Sequence, residues 1–205
     1  MKAFRKDFFR EILRNKGRFL SVFFISLLGA AFFSGIRSAE GDMKTSADAY
    51  YDQTNYMDLR VLGTLGLTDT DMEDIAKVKG VAQVTGGHTL EVLHKEGEKE
   101  QTVKLIALED GVNEPQILDG RLPQKTDEIL VDQKFLDGTG KKIGDQVTFE
   151  SGTDTALSDD LVHETFTIVG SATLPYYMEL TRGTGSIGNG NIDSFGLLLP
   201  ETYTS

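Results

Sequence analysis

The chain has no cysteine. A disulfide framework, thiol catalysis and a lipid-attachment cysteine are therefore all excluded, and the sequence is indifferent to the redox state of its surroundings. Low-complexity tracts and internal repeats are also missing. Positive charge is scarce in most of the chain. Residues 1–37 carry eight cations and two anions, residues 38–205 thirteen cations and thirty anions, so +6 and −17 give the net −11. So acidic a main portion disfavours nucleic acid and anionic surfaces as its partners.

The usual signatures of chemistry are incomplete. Gly183-Thr184-Gly185-Ser186-Ile187-Gly188 has G-x-G-x-x-G spacing, but Asn189, Gly190 and Asn191 follow where a dinucleotide site needs a helix to open. A mobile loop is expected there instead. Gly140-Lys141 fails as a phosphate loop, because Phe135 stands at the first glycine position and Lys142 where Ser or Thr is required. Asp69, Asp71, Glu73 and Asp74 lack the glycine and the final glutamate of a calcium loop and suit a helix N-terminus better. His88, His94 and His163 are too scattered to share a metal and are expected at the surface. No catalytic residue, cofactor or metal site is expected.

The long apolar run Phe19–Ile36 (FLSVFFISLLGAAFFSGI) dominates what is present. As a helix it spans roughly 27 Å, close to the ~30 Å hydrocarbon core of a bilayer. The basic residues before it and the acidic chain after it place the N-terminus in the cytoplasm and the remainder outside. A cleaved signal peptide would share the basic start and the apolar run. The run is longer than an ordinary h-region, however, and the candidate cleavage positions near Phe33 and Arg37 suit a peptidase poorly. A buried helix of a soluble protein would need more apolar chain around it than is present.

Ser26, Ala30 and Ser34 recur every four residues, leaving a stripe of small side chains opposite Phe23, Phe24, Leu27, Leu28, Phe32 and Phe33. Such a stripe allows close approach of another membrane helix, although small residues are common in any span. Upstream, Phe4, Phe8 and Ile12 at helical spacing beside Arg5, Arg10 and Arg14 predict an amphipathic interfacial helix over 1–18 resting on membrane lipid. Ala39, Met43, Ala47 and Tyr50 continue the helical rhythm, predicting a stalk over 37–56.

An extracytoplasmic domain is expected over 57–205, truncated at its C-terminal end. MDLRVLGT (57–64) alternates as a strand. Thr68 and Asp71 form a capping box for a helix with Met72, Ile75, Ala76 and Val78 on its buried face, stopped by Gly80, and 81–85 is the next strand. A hairpin turns at 96–99 between extended segments 88–95 and 101–108. A turn at 119–123, a strand at 128–131, a short helix at 133–136, and strands at 146–150, 164–172 and 195–199 complete the order. The fold class is α+β: an N-terminal transmembrane helix continuing into a stalk, then a mixed domain of short strands and few helices.

Several stretches together carry a resemblance: KGRFLSVFFISLLGAAFFSGIRS, Asp42-Met43 before Ala47-Asp48-Ala49-Tyr50-Tyr51, MDLRVLGTLGLTDTD, VKGVAQV, DGRLPQKTDEILVD and KKIGDQVTF. In this order and spacing they resemble the N-terminal part of FtsX-like ABC transporter permeases with a MacB-like extracytoplasmic core domain. The resemblance implies a bacterial membrane protein whose partners are a cytoplasmic ABC ATPase, further transmembrane helices of the same permease or a second permease copy, and membrane lipid. It also implies export or extraction of lipid, lipoprotein, peptide or antibiotic, or control of a cell-wall hydrolase. The later transmembrane helices of that family are not in these residues. A single-span anchored binding or sensor domain remains the alternative; an anchored enzyme has no support in the sequence.

Overall fold

The computed structural model describes residues 10, 13–63, 66–97, 99–177 and 181–204. The chain forms two compact units, Met1–Tyr50 and Tyr51–Ser205. Helix α1 (Lys16–Gln53) runs 38 residues without a break and buries none of its side chains. It contains no proline to interrupt it. Leu28 and Phe32 are each 71 % exposed and Phe33 69 %. Among the described residues it is the one helix long and apolar enough to cross a membrane. The helix ends where Asn55 takes the left-handed φ of 45°. The Tyr56 N–H then reaches back to the Tyr51 carbonyl at 3.0 Å, closing the last turn as such a cap does.

In the second unit, helix α2 (Asp69–Ala76) carries the expected capping box, Thr68 and Asp71 bonding reciprocally. The Asp71 carboxyl is held below its ordinary range by the Thr68 N–H and hydroxyl that it accepts. Two expectations beside it fail. The helix buries no residue: Met72 and Ile75 are half-buried, while Ala76 and Val78 are exposed. Residues 57–63 and 81–85 belong to no strand, and Leu59, Val61 and Leu62 stay exposed. Alternation gives a segment the right faces, but a strand exists only where a neighbour supplies the ladder.

Strands β1 (Thr89–Glu96) and β2 (Lys99–Ala107) form the expected antiparallel hairpin, with Glu96 paired to Lys99. Strand β3 (Gln116–Gly120) is an addition where only a turn is expected. Strand β4 (Glu128–Asp132) leads into helix α3 (Gln133–Thr139). The expected strand over 146–150 is divided into β5 (Gln146–Thr148) and β6 (Glu150–Ser151), and β7 (Thr165–Thr173) and β8 (Ser194–Leu198) follow. The sheet order is β3-β7-β4-β8-β2-β1-β6, mixed in direction, with β5 also paired to β7. The short stretch 146–151 thus pairs with β7 through β5 and with β1 through β6. It bridges β1 on one side and β7, which also carries β3, on the other, and so closes the sheet on itself.

Alternation sorts the side chains onto two faces. Val103, Leu105, Ile129, Val131, Phe166 and Ile168 point inward with Phe135 from α3 and Phe149, all at most 1 % exposed. Ile106, Leu130, Phe195 and Leu197 form a second cluster on the outer face, covered by Leu174, Tyr176 and Tyr177. Buried on both faces, β4 and β8 read as continuous apolar runs for this reason. Where β3 leaves β7, Gly120 has φ +79°, and a Cβ there would sit 2.2 Å from the Val169 carbonyl oxygen. The chain then turns through Arg121, whose guanidinium grips Glu128 at 2.6 and 2.7 Å and holds that carboxyl down at about 2.

His94 is not at the surface. It is 5 % exposed inside the closed sheet, 5.3 Å from the Phe135 ring, with Nδ1 3.0 Å from the Thr148 carbonyl oxygen. The β1–β6 ladder ends at Leu93 and Glu150, so this side-chain bond extends the seam by one residue. His88 is exposed and stacks on Tyr203, and His163 meets the Thr126 hydroxyl. The glycine-rich loop is pinned rather than mobile. Ile187 and Ile192 are buried, and the Ser186 N–H and hydroxyl both bond Glu91, at 2.6 and 2.8 Å.

Candidate coupling node at the start of the second unit

A polar cluster in the second unit gathers the first residues of that unit around one asparagine. Asn113 is 5 % exposed and adopts the left-handed φ of 52°, a conformation Asn tolerates better than most residues. Its N–H bonds the Asn55 carbonyl at 2.9 Å, and the next N–H, of Glu114, bonds that of Thr54 at 2.8 Å. Its Oδ1 accepts the Met57 N–H at 3.1 Å. Its Nδ2 donates to Glu109 and, at 2.9 Å, to the Tyr176 hydroxyl. One side chain thus ties together residues 54–57, the 109–114 loop and the turn at 175–177.

Aromatic rings complete the cluster. Tyr51 stacks on Tyr56 at 4.9 Å, Tyr56 meets Tyr176 edge-on at 6.1 Å, and Arg60 lies 5.9 Å over the Tyr176 ring. Burial, reinforced by the Glu109 carboxylate, raises the Tyr176 phenol well above its ordinary value, so it stays a neutral donor and acceptor. The void beneath, bordered by Glu109, Asn113 and Leu174, is about 10 Å³, no more than a single water needs. Such a site holds segments together. A second, shallow cleft of about 410 Å³ lies between α2 and residues 81–86. Among the described residues no group of His, Cys, Asp and Glu could hold a metal ion.

Asn113→Ala is expected to cost about 2–4 kcal/mol, since it strands the Met57 N–H and the half-buried Glu109 and Tyr176 groups and leaves a Cβ in a left-handed conformation. Asn113→Gly, which keeps that conformation, should recover only the backbone share. Urea unfolding of the whole chain in detergent reads both, and two variants as stable as the parent would dismiss the node.

The residues singled out from the sequence lie elsewhere. Ser26, Ala30 and Ser34 fall on one face of α1, exposed, as are Arg10 and Arg14. Phe4, Arg5, Phe8 and Ile12 lie outside the described residues. Asn113 gives no signal by type or spacing in its polar turn, because its role depends on residues 54–57 and 176.

No family model matches the chain, and no curated protein matches it. Among solved structures it is similar to the extracellular domain of a noncanonic ABC-type transporter, YknZ, from Gram-positive bacteria. The identity is 14 % and the TM-score 0.41, over 67 % of this chain and 64 % of that one. The chain therefore spans less than two thirds of that domain.

Proposed function

We propose that the chain is the N-terminal portion of a permease subunit of a bacterial ABC transporter. In this account residues 19–36 cross the cytoplasmic membrane, 37–56 form a stalk, and the unit that follows lies outside the cell. The observation that carries it is α1: one unbroken helix, apolar and unburied at 19–36, polar beyond Arg37, and ended by Asn55 next to the Asn113 node. The charge step at Arg37 and the ordered motifs support the same account. With no phosphate loop of its own, the chain would rely on a separate cytoplasmic ATPase, and movement of α1 would enter the outer unit through residues 51–57. The cargo would be a lipid, lipoprotein, peptide or antibiotic.

The small face of α1 supplies the test. In the full-length permease, Ala30→Leu should abolish transport while insertion and outer-unit folding persist, because the added branches push a partner helix away. Phe24→Leu, on the opposite face, should transport normally. Equal activity of the two would remove the helix packing on which this function depends.

A further inference from the structure

Of the five asparagines, Asn15, Asn55, Asn113, Asn189 and Asn191, only Asn189 precedes a glycine, so only there does the following peptide nitrogen stand beside no side chain. It sits at the tip of loop 183–192. Thr184 and Asn191 form a bridge, and the N–H groups of Gly185 and Ile192 bond the carbonyls of Gly190 at 3.0 Å and Gly183 at 3.1 Å. Buried Ile187 and Ile192 seat the two sides, and Glu91 accepts the Ser186 N–H and hydroxyl. The tip itself, Asn189 and Gly190, is exposed to water.

Two bonds act on this tip in opposite senses. The Asn191 N–H reaches Asn189 Oδ1 at 2.9 Å, which folds the carboxamide back over the Gly190 peptide and draws electron density from Cγ. The Gly190 N–H is engaged by the Ile187 carbonyl at 3.1 Å, and that bond must open before the nitrogen can react. A Cβ at Gly190 would meet nothing within 4 Å among the described residues, so the approach is uncrowded. We infer that Asn189 is a self-modifying site that ages into aspartate or isoaspartate. Hydroxide takes the Gly190 N–H proton, the nitrogen lone pair bonds Cγ, and the carboxamide C–N bond breaks. Ammonia leaves, taking up a proton from water. Water then opens the cyclic imide at either carbonyl, with no oxidation or reduction. Isoaspartate lengthens the main chain by one methylene, so Gly190 no longer keeps both its N–H on Ile187 and its carbonyl on Gly185. The loop loses its closure beside β1. This site does not depend on the transporter account.

The test ages the whole chain in neutral detergent at mildly alkaline pH, beside a synthetic peptide of residues 183–192, with peptide mapping by mass spectrometry at intervals. Asn189 should convert in the folded chain at a rate within about tenfold of the peptide, the factor set by opening one neutral hydrogen bond. Asn15, Asn55, Asn113 and Asn191 should stay intact over the same period. In the aged fraction, isolated by its added negative charge, the Gly185 and Ile192 amides should exchange hydrogen about tenfold faster than in Asn189→Asp. That variant carries the charge without the extra methylene. A folded rate more than about tenfold below that of the peptide, conversion of another asparagine ahead of Asn189, or exchange no faster than in Asn189→Asp would each overturn the inference.

Discussion

Phe135→Ala is expected to destabilise the second unit by about 3–5 kcal/mol, the usual cost of emptying a large aromatic site in a core. Phe135 is fully buried, reaches into the closed sheet from α3, and touches the rings of both His94 and Phe149. Those rings stand on β1 and at the β5–β6 junction, beside a closing seam of only two residue pairs with β1. A cavity there removes contacts from the stretch that has the fewest backbone bonds to replace them. The melting temperature of the unit should fall by about 10 °C or more. Phe32→Ala, on the exposed surface of α1, should leave that transition in place. A shift below about 2 °C for Phe135→Ala would mean the sheet is not closed around this ring.

Asp132→Ala should be at least as damaging. The carboxylate is 1 % exposed and accepts Arg182 Nε at 2.7 Å and Nη2 at 3.1 Å, while Oδ1 also caps α3 by accepting the Lys134 N–H. Its removal takes the counter-charge from beneath a guanidinium held against Tyr177 and Phe195, at about 3–5 kcal/mol, and the cap adds about 1 kcal/mol. Replacing both partners, Asp132→Leu with Arg182→Met, should recover a large part of the loss, because no buried charge then remains. Urea midpoints of the single and double variants measure this. A double variant no more stable than Asp132→Ala would show that the ion pair does more than neutralise charge.

These two sites mark the limit of what can be read along the chain. The capping box at Thr68 and Asp71, the hairpin between β1 and β2 and the strand β7 are all legible, because each depends on residues within a few positions of one another. Arg182 and Asp132 are fifty residues apart, and Asn113 meets Met57 across fifty-six, so no spacing rule connects them. His94 looks like any polar residue on a strand; only the return of the chain at Thr148 buries it. The segments 57–63 and 81–85 err in the opposite sense. The alternation of Met57, Leu59 and Val61 is genuine, but strand formation depends on a neighbour that the pattern itself does not supply. The candidate node is assembled from such distant pieces. The apolar helix is different: its length and flanking charges are local properties, and α1 forms where they predict.

Its orientation carries the proposed function, and fusion to a reporter enzyme that is active only outside the cytoplasm measures it directly. Placed after Ser205 the reporter should be active, and placed after Lys16 it should be silent, because seven cations precede the apolar run and thirty anions follow Arg37. The reverse pattern would put the second unit in the cytoplasm and contradict its role as the outer part of a permease.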